Sequence, residues 1–340
     1  MKQITVLVIA TVLIAGYGGV AAAKQCLFEA IAFTSTRDNP NLPPNILINA
    51  GEIYLMNPDG TNQRRLTENT DGDGFARPTW DGKKIVFDSN RLRAVGEPVN
   101  TSDLFVMNTD GTEQTFLTRG SSATWSPDSK SIAFHASASG TGLPIRPDAG
   151  APTTDSQIFV MNVDDGSPTN ITNSGRIDQD PDWSPDGQTI VFTSHDYKPN
   201  DPDKGAASAE MYLISADGTG NAQQLTFKGE EPRAPAWSPD GTRIAYVCRR
   251  GGSDYEICVL NLADGTDTQL TSNTVLDASP TWSPNGQQIV FQRNVAGPLS
   301  TQLFLMNADG TGVQTQLTLP PGINLFPAWG VVRAHCADGN

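Results

Sequence analysis

Proton chemistry in this chain has few residues to draw on, since there are only three histidines in 340 positions. His135 sits within one apolar stretch, IAFHA, and His195 follows another, IVFTSH, just ahead of Asp196 and Tyr197. Histidine is the side chain whose ordinary pKa lies closest to neutrality, and a neighbouring carboxylate can orient its ring for proton transfer. Asp178 and Asp180 are the carboxylates open to His135. No Gly-x-Ser-x-Gly nucleophile elbow is present, so a serine hydrolase is disfavoured. If the histidines serve a reaction, the one left for them is cleavage of a carbohydrate by a lyase or hydrolase. A metal-assisted version needs several histidines and carboxylates focused on one point, and the sequence offers no such focus. No metal and no cofactor is therefore expected. Asp71-Gly72-Asp73-Gly74 opens like a calcium loop but lacks the later ligands and the closing Glu.

Charge recognition is the second chemistry on offer. Arg77, Asp178, Asp180, Arg233 and Asp277 lie on the connections that lead into the Pro-x-Trp stretches, which are expected to bring them to the mouth of a central channel. Gathered at one opening, such groups grip a cation or a basic side chain of a partner. Thiol chemistry is the third. The four cysteines allow three pairings, and Cys26–Cys336 with Cys248–Cys258 is the one expected. The first pair flanks the two ends of the chain, and the second lies on neighbouring strands of one hairpin.

The setting for these residues is extracytoplasmic. Lys2, a long apolar run and Ala21-Ala22-Ala23 read as a signal peptide over 1–23, which leaves a mature chain over 24–340. No later stretch is apolar for long enough to span a bilayer. A periplasmic or secreted monomer is expected, in a compartment where disulfides persist. A net charge of −14 argues against nucleic acid and anionic membrane as partners and for solubility. Asn100-Thr101-Ser102 and Asn170-Ile171-Thr172 match the glycosylation pattern.

What positions these residues is a repeat. PDWSPDGQTIVF from Pro181, PAWSPDGTRIAYV from Pro235 and PTWSPNGQQIVF from Pro280 are near-copies, with ATWSPDSKSIAF from Ala123, PTWDGKKIVF from Pro78 and a closing PAWG from Pro327. Each unit continues through a second apolar strand such as IYLMN from Ile53, an Asp-Gly turn and a Leu-Thr pair. The six tryptophans, Trp80, Trp125, Trp183, Trp237, Trp282 and Trp329, fall one per unit. Four short strands at a period of about 40–50 residues predict an all-β, six-bladed β-propeller. The two middle strands are apolar on consecutive residues, which requires cover on both faces, and neighbouring blades supply it. Each Trp fills the wedge between blades and needs one partner for its indole N–H. The chain starts at a second strand, Ile31, and ends at a first strand, Phe326 to Trp329, so the C-terminal strand completes the N-terminal blade. That removes an open edge.

Pro-x-Trp-Ser-Pro-Asp-Gly, Ile-x-Phe and Asp-Gly-Thr followed by Leu-Thr resemble the repeat of the TolB-type β-propeller, a relative of WD-type repeats. Leu276-Asp277-Ala278-Ser279-Pro280 and Phe326-Pro327-Ala328-Trp329 are similar to that family's last blades. The resemblance covers essentially the whole mature chain. It implies a propeller acting as a docking surface for other envelope proteins, such as a peptidoglycan-associated lipoprotein. Only a few residues separate the signal peptide from the first strand, so the propeller is expected without the α/β domain that precedes it in the family's periplasmic adaptor. The same repeat also occurs in polysaccharide lyases and beside peptidases, which keeps the carbohydrate enzyme as the alternative.

Short turns gather on one face of such a ring and the long, varied connections on the other. The longest run over 136–156, 196–209 and 37–51. Binding sits where varied loops crown a rigid scaffold, so the expected function is a non-catalytic module that takes a protein partner on that face.

Overall fold

The structure, a computed structural model, describes residues 25–38, 51–69, 71–92, 102–137, 156–196, 209–250, 254–295 and 300–336. The segment over 1–23 and most of the three longest connections lie outside the described residues. Every regular element described is a strand, and the strands form six four-stranded sheets. The chain is the expected six-bladed propeller.

Blade 4 shows how the sequence makes a blade. Its strands are Ile177–Trp183, Thr189–His195, Glu210–Ser215 and Gln223–Gln224, paired antiparallel in chain order. Ser184-Pro185-Asp186-Gly187 closes the first hairpin, with Gly187 N–H donating to Ser184 O at 2.9 Å and Gly187 at a φ of 73°. The Ser184 hydroxyl donates to Asp186 at 2.5 Å and accepts from Thr189 N–H at 2.9 Å, so the turn carries its own lock. Ile190, Val191 and Phe192 are buried on both faces of the sheet. Trp183, Ile190 and Phe192 pack against Ala133, Ile158 and Ile171 of blade 3, which is the blade-to-blade cover that consecutive apolar residues demand.

Closure follows the expected register. Strand Asn324–His335 pairs antiparallel with Gln25–Ser35 as the innermost strand of blade 1. Blade 6 then packs on blade 1 through Val290, Leu303 and Leu317 against Ile31, Phe33 and Tyr54. The Cys26–Cys336 disulfide ties the two ends across a separation of 310 residues. A bridge closing so long a loop contributes about 2–4 kcal/mol. Cys248–Cys258 joins the second and third strands of blade 5, and both cysteines are fully buried.

Two expectations about tryptophan need correction. Trp125 donates its indole N–H to Arg77 O and Trp282 to Ala236 O, each 3.0 Å away on the preceding blade. Trp183, Trp237 and Trp329 make no such bond among the described residues, so burial holds them without a fixed partner. Trp80 is not a wedge residue at all. Pro78 pairs with Ile85 as Trp183 pairs with Ile190, which puts Pro78 in the wedge position and Trp80 where the other turns carry proline. Blade 2 lacks the Ser-Pro pair, and two missing residues shift its Trp into the turn, where it is 49% exposed.

Candidate functional site: the axial cavity

Each innermost strand breaks register once, between residues such as Gln179 and Asp182 in blade 4 or Gly74 and Arg77 in blade 2. One residue at every break takes a left-handed backbone: Phe326, Phe75, Ser122, Asp180, Ala234 and Ser279, with φ between 45° and 54°. None is glycine, and such a conformation costs on the order of 1 kcal/mol per residue. Bulges re-aim side chains, and six of them in a ring aim six side chains at the axis. All six line an axial cavity of about 230 Å³. The first strand runs from the long-connection face to the turn face, so this ring lies at the long-connection end. Trp80, Pro185 and Pro239 line the opposite end.

The ring is asymmetric. Phe75 and Phe326, from blades 2 and 1, stack with centroids 3.7 Å apart and make an apolar wall. Asp180 in blade 4 lies across the ring from blade 1, flanked by Ser122 and Ala234 on the adjoining blades. Two residues further along each strand is a second tier that includes Arg77, Thr124 and Asp182. Asp182 accepts from Thr124 Oγ1 at 2.9 Å and from Trp237 N–H at 2.8 Å. Burial pushes the Asp182 carboxyl above its usual range. Burial also lowers the Arg77 guanidinium, while Asp182 and Asp180 pull it back up. The Arg77 Nη1 donates to Pro327 O at 3.3 Å. The cavity therefore joins an aromatic wall to a cation and two carboxylates in a confined space, where a partner's charged or polar group is recognised at low dielectric.

Of the charges expected at the mouth, Arg77 and Asp180 line the cavity. Asp178 and Asp277 do not, since both are 0% exposed inside their blades. Asp277 takes the Arg293 guanidinium at 2.6 and 2.7 Å and the Asn273 amide at 2.9 Å. Asp178 accepts from Ser174 Oγ at 2.6 Å, and its carboxyl is pushed up by burial. Arg233 stands exposed on the rim, 5.0 Å over the Tyr255 ring and 3.9 Å from Glu231.

His135 is 2% exposed within the second strand of blade 3. His195 is partly buried at the end of the corresponding strand in blade 4, where burial and then Arg233 and Arg176 lower it to about 4. Neither lines the cavity. Among the described residues, no group of three or more His, Cys, Asp or Glu converges as a metal site. Nothing in the sequence analysis marks Phe75, Phe326 or Asp182 as residues of the axis, and Trp80 was expected in the wedge and not at the turn end of the cavity. The signal that finds the two phenylalanines is position: the residue three before each wedge position is the one the bulge turns inward.

Comparison with known proteins places this geometry. The TolB beta propeller domain description matches residues 149–333. An uncharacterized protein of Agrobacterium fabrum is 30% identical over 204 residues, which cover 57% of this chain and 61% of that protein. The crystal structure of TolB from Acinetobacter baumannii superposes with a TM-score of 0.69 at 23% identity, over 89% of this chain and 66% of that one. An oligogalacturonate lyase in complex with manganese superposes with a TM-score of 0.51 at 17% identity, over 87% of this chain and 86% of its own. At these identities the two structural likenesses carry the fold alone. The chain spans less than two thirds of the Agrobacterium protein and of the Acinetobacter one.

Proposed function

The chain belongs to the TolB β-propeller domain family, and from that premise we propose that it is a non-catalytic docking module, periplasmic or secreted, which takes a protein partner on its long-connection face. The observation that carries this reading is the ring of six left-handed residues at the mouth of the axial cavity. Strained backbone repeated in every blade is retained where it serves recognition, and here it presents one aromatic wall and one carboxylate to an entering group. Arg77 and Asp180 are the charges a partner meets in the mouth, and Arg233 adds one on the rim. Asp178 and Asp277 brace the walls from inside the blades. The loop over 136–156, most of it outside the described residues, supplies the bulk of the surrounding contact. A rim of this size offers the roughly 800 Å² per partner that a standard interface uses.

Cleavage of an acidic polysaccharide is the competing function, with His135 and His195 as its acid–base residues. The burial of His135 and the low pKa of His195 weigh against it.

The test is capture of a partner from envelope extract by the mature chain, compared across variants. A double reversal at Arg77 and Asp180 should abolish capture of that partner. Reversal at Asp110 and Asp264, on the opposite turns, should leave capture intact. Equal capture by both variants overturns the mouth as the docking site. Turnover of an acidic polysaccharide that disappears in His135→Ala and His195→Ala overturns the non-catalytic reading.

A further inference from the structure

In a repeat protein, function is written where one unit departs from its siblings. Blade 5 departs twice from what its siblings share, and both departures meet a lengthened turn in one place. Five blades carry an aromatic pair across their second and third strands: Phe33–Tyr54, Phe87–Phe105, Phe134–Phe159, Phe192–Tyr212 and Phe291–Phe304, with centroids 5.6 to 6.0 Å apart. In blade 5 the directly opposed pair is Tyr246 and Cys258. Cys258 is small and bound in the disulfide, so the volume of one ring is missing, and Tyr246 brings a hydroxyl where the other blades have phenylalanine.

The Asp-Gly turn lies beside them. In blade 1 the turn closes from Gly60 N–H to Asn57 O, and a Cβ on Gly60 would fall 2.6 Å from Leu317 O of the adjoining blade. In blade 5, as in blade 3, the turn is one residue longer, closing from Gly265 N–H to Asn261 O, and nothing lies within 4 Å of a Cβ on Gly265 or on Gly166 of blade 3. A missing ring and a lifted turn leave a groove of about 220 Å³ between blades 4 and 5.

Its walls are apolar, with Leu225, Pro232, Leu260 and Leu262, and Phe227 stands at the groove with 74% of its surface exposed. Asp267 lies in the groove with its side chain only 5% exposed. One oxygen of Asp267 accepts from Tyr246 Oη at 2.8 Å and from Lys228 Nζ at 3.2 Å, and pairs with Arg250. The other oxygen, Oδ1, has no hydrogen-bond partner among the described residues. Arg250 is itself bound to Glu230 at 2.6 Å and to Tyr246 Oη at 3.0 Å. Three carboxylates, Asp267, Glu230 and Glu210, stand against two cations, Arg250 and Lys228. An unused buried acceptor, an excess of negative charge and an exposed ring beside apolar walls define what fits: a hydrogen-bond donor with positive charge on an apolar body.

We propose that the groove between blades 4 and 5 binds a small organic amine, its ammonium donating to the Asp267 carboxylate and its apolar body lying between Phe227 and Leu260. This site is separate from the axial mouth and does not depend on the docking reading.

Phenethylammonium is the probe, titrated into the mature chain by calorimetry, with phenylacetate and phenethyl alcohol as the anionic and neutral matches. Saturable binding of the amine, tighter than either match, is expected. Asp267→Asn should weaken it at least tenfold. Tyr246→Phe, which copies the other five blades and so preserves the fold, releases an oxygen-bound hydroxyl that orients Asp267 and should weaken binding about three- to fivefold. Phe227→Ala should weaken it with no change in melting temperature. Absence of saturable amine binding, preference for phenylacetate, or equal binding in Asp267→Asn and Tyr246→Phe would each overturn the proposal. Capture of the protein partner should be unchanged in all three variants.

Discussion

Asp178 and Asp180 are two residues apart on one strand, and they do opposite things. In a regular strand they would share a face, since side chains alternate with a period of two. The bulge between Gln179 and Asp182 breaks that rule. Asp178 stays inside blade 4 against Ser174, while Asp180, at a φ of 52°, lines the axial cavity. The same division recurs in blade 6, where Asp277 is sealed with Arg293 and Ser279 lines the cavity. Residues before the bulge are latches that hold a blade to the connection preceding it, and residues after it serve the axis. Charge alone does not distinguish the two classes. Backbone geometry does.

The largest effect that can break this comparison is on stability. Asp277→Asn leaves the Arg293 guanidinium, whose side chain is 16% exposed, without its counter-charge. Breaking such a buried pair costs about 3–5 kcal/mol. Asp180→Asn keeps a residue type that tolerates left-handed backbone and should cost less than about 1 kcal/mol. Urea titration of both variants measures the gap. Equal losses would show that the two carboxylates belong to one class.

How much of this was legible in the sequence follows from the same geometry. The blades were readable because Ser-Pro-Asp-Gly, the consecutive apolar runs and the Leu-Thr ends each have a local physical cause that needs no knowledge of distant residues. The closure and both disulfides were readable from the register of the ends and from the hairpin spacing. Asp178 and Asp277 were read as mouth charges because their connections do lead toward the axis, and nothing in Gln179-Asp180 or Ala278-Ser279 announces a left-handed residue. Trp80 was read as a wedge residue because the chain has one tryptophan per unit, and a two-residue deletion before an intact Asp-Gly turn was absorbed as a loose match. The groove in blade 5 was hidden for another reason. Cys258 drew notice as a disulfide partner, and that masked its second meaning as a missing aromatic.

A middle-sized effect tests the histidine beside the latch of blade 4. His195 is lowered to about 4, first by burial and then by Arg233 and Arg176, with Asp196 opposing. An imidazole whose folded pKa lies below its unfolded value of about 6.5 adds stability above that pH and loses it as pH falls toward 4. His195→Gln should therefore show a smaller drop in melting temperature between pH 7 and pH 4.5 than the parent, by about 1–3 °C. Asp178 and Asp182, raised by burial, gain stability in acid, but they do so in both proteins and cancel in the difference. Parallel curves for parent and variant would show that His195 titrates as an exposed residue and would remove the environment described for it.

The smallest effect concerns the far end of the axis, where Trp80 replaces a turn proline. Thr79 O accepts from Gly82 N–H at 3.0 Å, which makes Trp80 the second residue of a four-residue turn. Proline favours that position, and Pro127, Pro185, Pro239 and Pro284 occupy it in blades 3 to 6. Trp80→Pro restores the repeat and stiffens the unfolded chain, which should stabilise the protein by about 0.4–1 kcal/mol. It also removes the most exposed tryptophan, so the iodide-quenchable part of the fluorescence should fall sharply while the emission of the buried indoles persists. A loss of more than about 1 kcal/mol would mean that the Trp80 ring is packed against the turn face and holds blade 2 in place. A gain, with the quenchable signal gone, would mean that blade 2 retains the indole at a measurable cost in stability, as a group presented at the turn-face end of the cavity.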